Sequence, residues 1–171
     1  KTRLRLLIKF FISQANKGYL NGLATEMGES TNAIRKELNH LQGAGYLKKI
    51  KVNNKIEYKA NTEHPLFNVL RKVVLKHLGL EDVVDTVLER MGDVDKIILI
   101  GDYAKGKDTG LIEVFLIGQG LNMDYIAQLE EKIEKLIGRN VSFYLASKFI
   151  SDQEHILLFN SKENDFNRKW R

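Results

Sequence analysis

Polar side chains between residues 30 and 39 recur at spacings that place them on one face of a helix. The apolar residues Ile34, Leu38 and Leu41 fall on the opposite face, which would pack against a core. Arginine and asparagine can pair with base edges, whereas lysine and threonine suit phosphate oxygens. Ser30 stands where the N-cap of such a helix is expected. This pattern predicts a DNA-contacting helix that uses Ser30, Thr31, Asn32, Arg35, Lys36 and Asn39.

A second basic group follows this helix and alternates with apolar residues. Residues 47–52 and residues 55–59 both show the two-residue period of a strand. Asn53 and Asn54 between them predict a tight turn, because asparagine tolerates a positive φ. The segment is therefore a predicted β-hairpin, and its basic side chains would neutralise phosphates. These predicted DNA-contacting residues are Lys49, Lys51 and Lys55.

The net charge of the chain is distributed unevenly. Residues 1–60 carry 12 Lys or Arg and 4 Asp or Glu, whereas residues 61–171 carry 15 and 18. A basic first third indicates contact with a polyanion. There are no cysteines and no apolar run of membrane-spanning length, and His64 and His77 lack metal-ligand spacing. We expect a cytoplasmic protein with no metal site, no cofactor and no membrane contact.

Two short helical stripes precede the polar helix, over residues 4–12 and 20–27. Three helices and a basic hairpin form the order of a winged helix. The run Gly28-Glu29-Ser30-Thr31-Asn32-Ala33-Ile34-Arg35-Lys36-Glu37-Leu38-Asn39-His40-Leu41, followed by Ala44-Gly45-Tyr46-Leu47, resembles the recognition helix and wing of ArsR-like and MarR-like bacterial regulators. The resemblance covers about residues 2–60 and implies binding to double-stranded DNA. An alternative use of the same fold is contact with another protein.

A further helical stripe follows Pro65 and runs from Leu66 to Leu78. This helix would link two domains or pair with its copy. Because one chain carries one recognition helix, and specific regulators usually present two to a palindromic site, we expect a homodimer. Packing of the helix within a single chain is an equal alternative.

From Glu81 onward the pattern alternates helices and strands. Helices are predicted around residues 83–91 and 126–137, the second with Asn122 as its cap, and a short helix after Ser147. Strands are predicted at 96–100, 111–117, 141–146 and 155–159. Such a segment forms a small sheet covered by helices. The basic tail at 167–171 could contact DNA or a partner.

The turn after the first of these strands carries a motif. Ile97-Ile98-Leu99-Ile100-Gly101-Asp102-Tyr103-Ala104-Lys105-Gly106 resembles the opening strand and turn of the minimal nucleotidyltransferase domain. That family has Gly-Ser-x-Ala-x-Gly in the turn and Asp-x-Asp on the next strand. The resemblance implies a triphosphate at the turn, with the carboxylates holding two Mg²⁺ ions.

The chain departs from that family pattern at the chemical positions. Gly101, Ala104 and Gly106 match, but Asp102 stands in place of the phosphate-binding serine. The two metal-binding aspartates correspond to Leu111 and Glu113, and a later carboxylate corresponds to Ser142. Lys105 remains as a cation near the turn. We therefore predict a site without catalytic residues, a pseudo-nucleotidyltransferase that is not an enzyme.

These patterns together predict a two-domain α+β protein. A winged helix-turn-helix would occupy residues 1–60, a linking helix 61–80, and an inactive nucleotidyltransferase-like domain 81–171. The predicted function is sequence-specific DNA binding in transcriptional regulation. The alternative is an active nucleotidyltransferase whose winged helix selects the target.

Overall fold

A computed structural model describes residues 1–149 and 152–163 of the chain. The chain divides into two compact units. The first comprises Lys1–Val74 with Gly106–Asp108, and the second comprises Leu75–Lys105 with the described part of Thr109–Arg171. The mixed helices and two separate sheets confirm the α+β fold class. The predicted tail at 167–171 lies outside the described residues, and the domain boundaries at 60 and 80 stay a prediction.

Residues 2–60 of the first unit form three helices and a three-stranded sheet, in the order predicted for a winged helix. The elements are α1 (Thr2–Phe11), β1 (Lys17–Tyr19), α2 (Leu20–Met27), α3 (Thr31–Gly43), β2 (Leu47–Val52) and β3 (Lys55–Ala60). The strands are ordered β1-β3-β2, and both pairings are antiparallel. The core collects the apolar faces of the three helices, with Phe10, Ile34 and Leu38 fully buried.

Local sequence explains where these elements begin and end. The Ser30 hydroxyl accepts a hydrogen bond from the amide of Ala33 at 3.2 Å, which confirms it as the N-cap of α3. Gly28 ends α2 in the left-handed conformation, with φ 61°. Asn53 and Asn54 both have positive φ, which gives the two-residue turn the twist that suits a hairpin. Strand β1 was not predicted, because three residues are too few to show a period.

Helix α4 (Phe67–Leu78) follows a turn that contains Pro65. Phe67 is buried and contacts Phe11, with ring centroids 5.5 Å apart. The predicted stripe was wrong at two positions, since Leu66 and Val73 are exposed. The helix presents apolar residues on more than one side, so periodicity did not reveal which of them are buried.

The second unit contains a four-stranded sheet with helices on one face. Its elements are α5 (Leu80–Arg90), β4 (Asp93–Ile100), the four-residue helix α6 (Gly101–Ala104), β5 (Leu111–Gln119), α7 (Ile126–Ile137), β6 (Asn140–Ala146) and β7 (Ile156–Asn160). The strand order is β6-β5-β4-β7. Only the β5–β6 pair is parallel, and α7 makes the crossover between these two strands.

The two faces of this sheet differ in composition. One face carries most of the buried residues of β4, β5 and β6, and the helices α5 and α7 pack on it. Because directly paired residues share a face, the register assigns Ile98, Glu113, Phe115 and Tyr144 to the other face. A β-bulge interrupts β4 between Val94 and Lys96.

Two predictions about the second unit were wrong. Asn122 makes no side-chain cap, and a 3₁₀ turn over Met123–Tyr125 leads into α7 instead. The described residues after Ser147 contain no helix before β7. None of the described helices has the length and apolar character needed to cross a membrane.

Candidate functional site

A groove of about 740 Å³ opens in the first unit between α3 and the hairpin. Helix α3 contributes Arg35 and Asn39, and the hairpin contributes Lys49 and Lys55. No acidic side chain is among the described residues that line it. The complete lining is Tyr19, Leu20, Asn21, Gly22, Arg35, Asn39, Lys49, Asn54, Lys55, Ile56 and Tyr58.

The register of the hairpin explains why its lysines meet α3. Lys49 pairs with Tyr58, and Lys51 pairs with Ile56, so these four side chains share one face. That face continues into the buried residues of the first unit, since Tyr58 is buried. Lys49 and Lys51 therefore lie on the same face of the hairpin (β2 and β3, called the wing) as buried Tyr58, but outside the core.

The polar face of α3 is ordered by its own side chains. The Asn32 side-chain oxygen accepts a hydrogen bond from the Arg35 guanidinium at 3.1 Å. On the side of α3 turned toward α1, Glu37 pairs with Arg3 at 2.6 Å, and this partner holds the pKa of Glu37 below its usual value. The one carboxylate of α3 is thus held by α1 rather than by the basic face.

The opposite face of the wing holds a buried carboxylate. Glu57 accepts a hydrogen bond from the Tyr19 hydroxyl at 2.8 Å and pairs with Lys17 at 3.3 Å. The hydrogen bond from Tyr19, together with Lys17, lowers the pKa of Glu57, and the same contact raises the pKa of Tyr19. These bonds join β1 to β3 and fix Tyr19 at the margin of the groove.

The predicted DNA-contacting residues are all exposed, but they do not all line the groove. Arg35, Asn39, Lys49 and Lys55 line it. The others lie outside the lining: Ser30, Thr31, Asn32, Lys36 and Lys51. Sequence reasoning missed the lining residues Tyr19, Asn21, Ile56 and Tyr58. The sequence offered no signal for them, since the 50% exposure of Ile56 became evident only in the structure.

The turn after β4 is the second region that the sequence singled out. Gly101 opens α6 with φ 69°, and a Cβ at this position would clash with the Oε2 atom of Glu113. Glu113 also lies directly opposite Ser142 on β6. The structure therefore brings together the positions matched at 101, 113 and 142. Leu111 begins β5 and is exposed, while Asp102 and Lys105 are half-buried.

Two tyrosines surround this turn. Tyr103 is fully buried, and its hydroxyl accepts hydrogen bonds from the amide of Gly110 at 3.1 Å and from Arg139 at 3.2 Å. The Tyr144 hydroxyl donates to Oε1 of Glu113 at 3.2 Å, and the charge of Glu113 raises the pKa of Tyr144. Gly106 follows the short helix with φ 76°. Among the described residues, no three His, Asp or Glu side chains form a group that could hold a metal ion.

No protein-family model matches the chain, and no curated protein matches it. Solved structures of similar fold include a mutant of the toxin–antitoxin MntA–HpeT, with a TM-score of 0.43 and 14% identity over 52% of this chain and 77% of that one. A second is the AntR antimony-specific transcriptional repressor, with a TM-score of 0.38 and 21% identity over 49% and 69%. A third is the tri-AMPylated Shewanella oneidensis HEPN toxin with its MNT antitoxin, with a TM-score of 0.41 and 13% identity over 54% of this chain and 78% of that one.

These neighbours contradict the prediction that the chain is not an enzyme. They include a toxin–antitoxin with AMP-PNP and a tri-AMPylated toxin in complex with its MNT antitoxin. The prediction rested on residue types at positions 102, 111 and 142. Residue types at one family's positions do not determine which groups serve on the same fold, so they were insufficient for that conclusion.

Proposed function

We propose that the chain is a sequence-specific DNA-binding transcriptional regulator that holds duplex DNA against the groove between α3 and the hairpin. The observation that carries this proposal is the convergence of Arg35, Lys49 and Lys55 on one concave surface whose lining has no carboxylate. A surface of one charge sign attracts the phosphate backbone and accelerates encounter with it.

In this proposal one strand of the duplex lies in the groove, with α3 on one side of it and the hairpin on the other. An α-helix fits the major groove, so α3 would read base edges while the hairpin follows the adjacent backbone. Arg35 is the side chain best suited to guanine, because its guanidinium can donate two hydrogen bonds to O6 and N7. The hydrogen bond to Asn32 restricts the guanidinium, which lowers the entropy lost on binding.

The residues outside the lining have supporting roles in this proposal. Thr31, Asn32 and Lys36 are exposed on the helix face that carries Arg35. Ser30 lies at the start of α3, where backbone amides and the helix dipole favour a phosphate. Lys51 shares the face of Lys49 and extends the basic strip along the wing.

The direct test selects bound sequences from a random duplex pool and then measures affinity for the selected site by fluorescence anisotropy. We expect a preferred sequence whose affinity falls steeply with salt. Equal affinity for all duplexes would overturn specificity. Failure to bind any duplex at about 50 mM salt, where phosphate contacts are strong, would overturn DNA binding itself.

A homodimer would present two such grooves to a palindromic site. The support is an exposed apolar surface formed by Leu66, just before α4, and by Val69 and Val73 of α4, with exposures of 45%, 54% and 58%. Sedimentation equilibrium at micromolar concentration should give twice the chain mass, and Val73→Glu should give the monomer. A monomer in the parent protein, with and without DNA, would contradict this part of the proposal.

Nucleotidyl transfer is a second candidate, favoured by the position of Glu113. Its carboxylate lies against the Gly101 turn and opposite Ser142, which is the placement that the family resemblance implies for a metal-binding carboxylate. Incubation with labelled ATP, GTP, CTP or UTP and Mg²⁺ or Mn²⁺ tests it. Label transfer that is lost in Glu113→Gln would support this candidate, and its absence with every nucleotide would count against it.

A further inference from the structure

The second unit contains a cavity of about 710 Å³ that no part of the proposed function uses. It lies on the face of the sheet opposite α5 and α7, and Ile98, Ile117 and Leu157 are among the residues that line it. Among the described residues, the lining includes neither Gly101 nor Glu113, so the cavity is formed by other residues than the turn after β4. The two regions share one face of the sheet, since Ile98 pairs with Phe115, two residues from Glu113.

We propose that this cavity binds a small planar aromatic carboxylate. Its volume lies within the range of about 300–1,000 Å³ that is typical of small-molecule sites. Leu157 is 41% exposed, and an apolar ligand that covered it would remove that surface from water. The inference rests on the second unit alone and does not depend on DNA binding.

The aromatic side chains in and beside this cavity favour a planar ligand. Phe149 contacts His155 with ring centroids 4.9 Å apart and an interplanar angle of 70°. Phe149 also contacts Phe115 at 5.2 Å, and Phe115 contacts Tyr144 at 5.4 Å. These four rings form a row across one face of the sheet. A planar aromatic group can extend such a row by offset or edge-to-face contact.

The charges at the cavity favour a single negative charge on the ligand. Lys96, Lys148 and Lys162 line it, together with Asp95 and Asp152. Within residues 1–149 and 152–163, no ion pair involves any of these five side chains. Three lysines attract a carboxylate, while two aspartates would repel a polyphosphate. The balance therefore suits a monoanion better than a nucleoside triphosphate.

The bulge in β4 explains how charged side chains reach this apolar surface. Lys96 pairs with Ile117 and so lies on the cavity face of the sheet. Asp95 is the extra residue of the bulge, and it lines the cavity although it adjoins Lys96 in sequence. A bulge commonly redirects a side chain in this way beside a binding site.

The test uses 2-naphthoate as the probe and 2-naphthylmethanol as its neutral analogue, with isothermal titration calorimetry on the full chain. We expect saturable one-to-one binding of the acid, and binding of the alcohol weaker by about tenfold, because the alcohol lacks the charge-assisted contact with lysine. Absence of saturable binding of the acid up to about 1 mM, or equal binding of the two probes, would overturn the proposal.

Two variants locate the site. Leu157→Asp should abolish binding of both probes, because it puts a charge among the apolar lining residues. The double variant Lys96→Ala/Lys148→Ala should weaken binding of the acid about tenfold and leave binding of the alcohol unchanged. Unfolding could not produce this difference, because it would abolish binding of both probes. The matched controls are Leu136→Asp and Lys72→Ala/Lys132→Ala, at exposed positions outside the cavity. Equal losses in the controls would overturn the assignment.

Discussion

The two concave surfaces of this protein have nearly the same volume and different chemistry. The groove of the first unit, at about 740 Å³, has three cations, asparagines and tyrosines in its lining and no carboxylate. The cavity of the second unit, at about 710 Å³, combines three lysines and two aspartates with apolar and aromatic residues. Volume therefore does not distinguish them. The sign and balance of the lining charge are the basis on which we propose a polyanion for the first surface and a small monoanion for the second.

Replacing the three hairpin lysines should have the largest effect on the proposed DNA surface. The triple variant Lys49→Ala/Lys51→Ala/Lys55→Ala should reduce the salt slope of DNA binding by roughly three units, since each phosphate contact contributes about 0.9. At about 0.1 M salt, the same relation, referred to 1 M, gives an affinity loss of about 500-fold. Anisotropy titrations at several salt concentrations measure both quantities.

The control for that variant replaces three exposed lysines of equal charge elsewhere: Lys72, Lys132 and Lys135. It should leave the slope nearly unchanged, because these residues lie on α4 and α7 and not on the hairpin. If both triple variants change the slope equally, the attraction comes from net charge, and the groove has no special role.

Removing the proposed base reader should have the next largest effect. Arg35→Ala should cost about 1–3 kcal/mol on the preferred site and relax the choice at one base position. Arg35→Lys is the matched control, because it keeps the charge and loses the planar fork. It should retain nonspecific affinity but not the base preference. Full base preference in both variants would show that this side chain does not read sequence.

The helix that carries Arg35 depends on its cap. Ser30→Ala removes the acceptor for the amide of Ala33 and should lower the free energy of unfolding by about 1 kcal/mol. Ser30→Asn supplies another capping oxygen and should restore most of the loss. Urea unfolding of both variants measures the difference. Equal stability of all three proteins would mean that α3 is held in place by packing alone.

Acidification should weaken the contact between β1 and β3 that Glu57 makes. The pKa of folded Glu57 is lowered, first by the hydrogen bond from Tyr19, so its contribution is complete above the unfolded pKa and is lost as pH falls through the folded pKa. Glu57→Gln should therefore be less stable than the parent at pH 7, and the gap should close in acid. Thermal unfolding at pH 7 and then in steps down to about pH 2, so that the lowered folded pKa is crossed as well as the ordinary pKa of Glu, measures this.

The control for Glu57 is Glu63→Gln. Glu63 pairs with Lys48, and its pKa is also lowered, but its side chain is 80% exposed. An exposed ion pair contributes little because water screens it, so this variant should match the parent at every pH tested. A gap for Glu57→Gln that persists in acid would mean that the glutamine disturbs packing rather than charge.

We expect the smallest effect when a variant at one surface is tested for binding at the other. Leu157→Asp should change DNA affinity by less than about twofold, and the wing triple variant should leave 2-naphthoate binding equally unaffected, as expected for independent sites. A larger change in either direction would contradict independence and show that the two surfaces are coupled. The measurements are the anisotropy and calorimetric titrations already described.

Short-range signals in the sequence were sufficient to predict α3, its N-cap and the hairpin of the first unit. The stripe Ile34–Leu38–Leu41 predicted α3, Ser30 predicted its cap, and the Asn-Asn pair predicted the hairpin turn. These signals succeed because a helix buries one face at a fixed period and a turn requires particular φ angles, so each is set within a few residues. For the same reason, the polar face of α3 was predictable as exposed.

Only the tertiary structure decided which distant residues complete each site. Tyr19 meets Glu57 across 38 positions, and Phe115 meets Phe149 on the far face of a sheet. The clash that a side chain at Gly101 would make with Glu113 likewise depends on how β4 pairs with β5. Residue types at family positions also misled the prediction about enzymatic character. The periodicity of a segment encodes which face it buries, whereas the partners it meets there depend on the path of the whole chain.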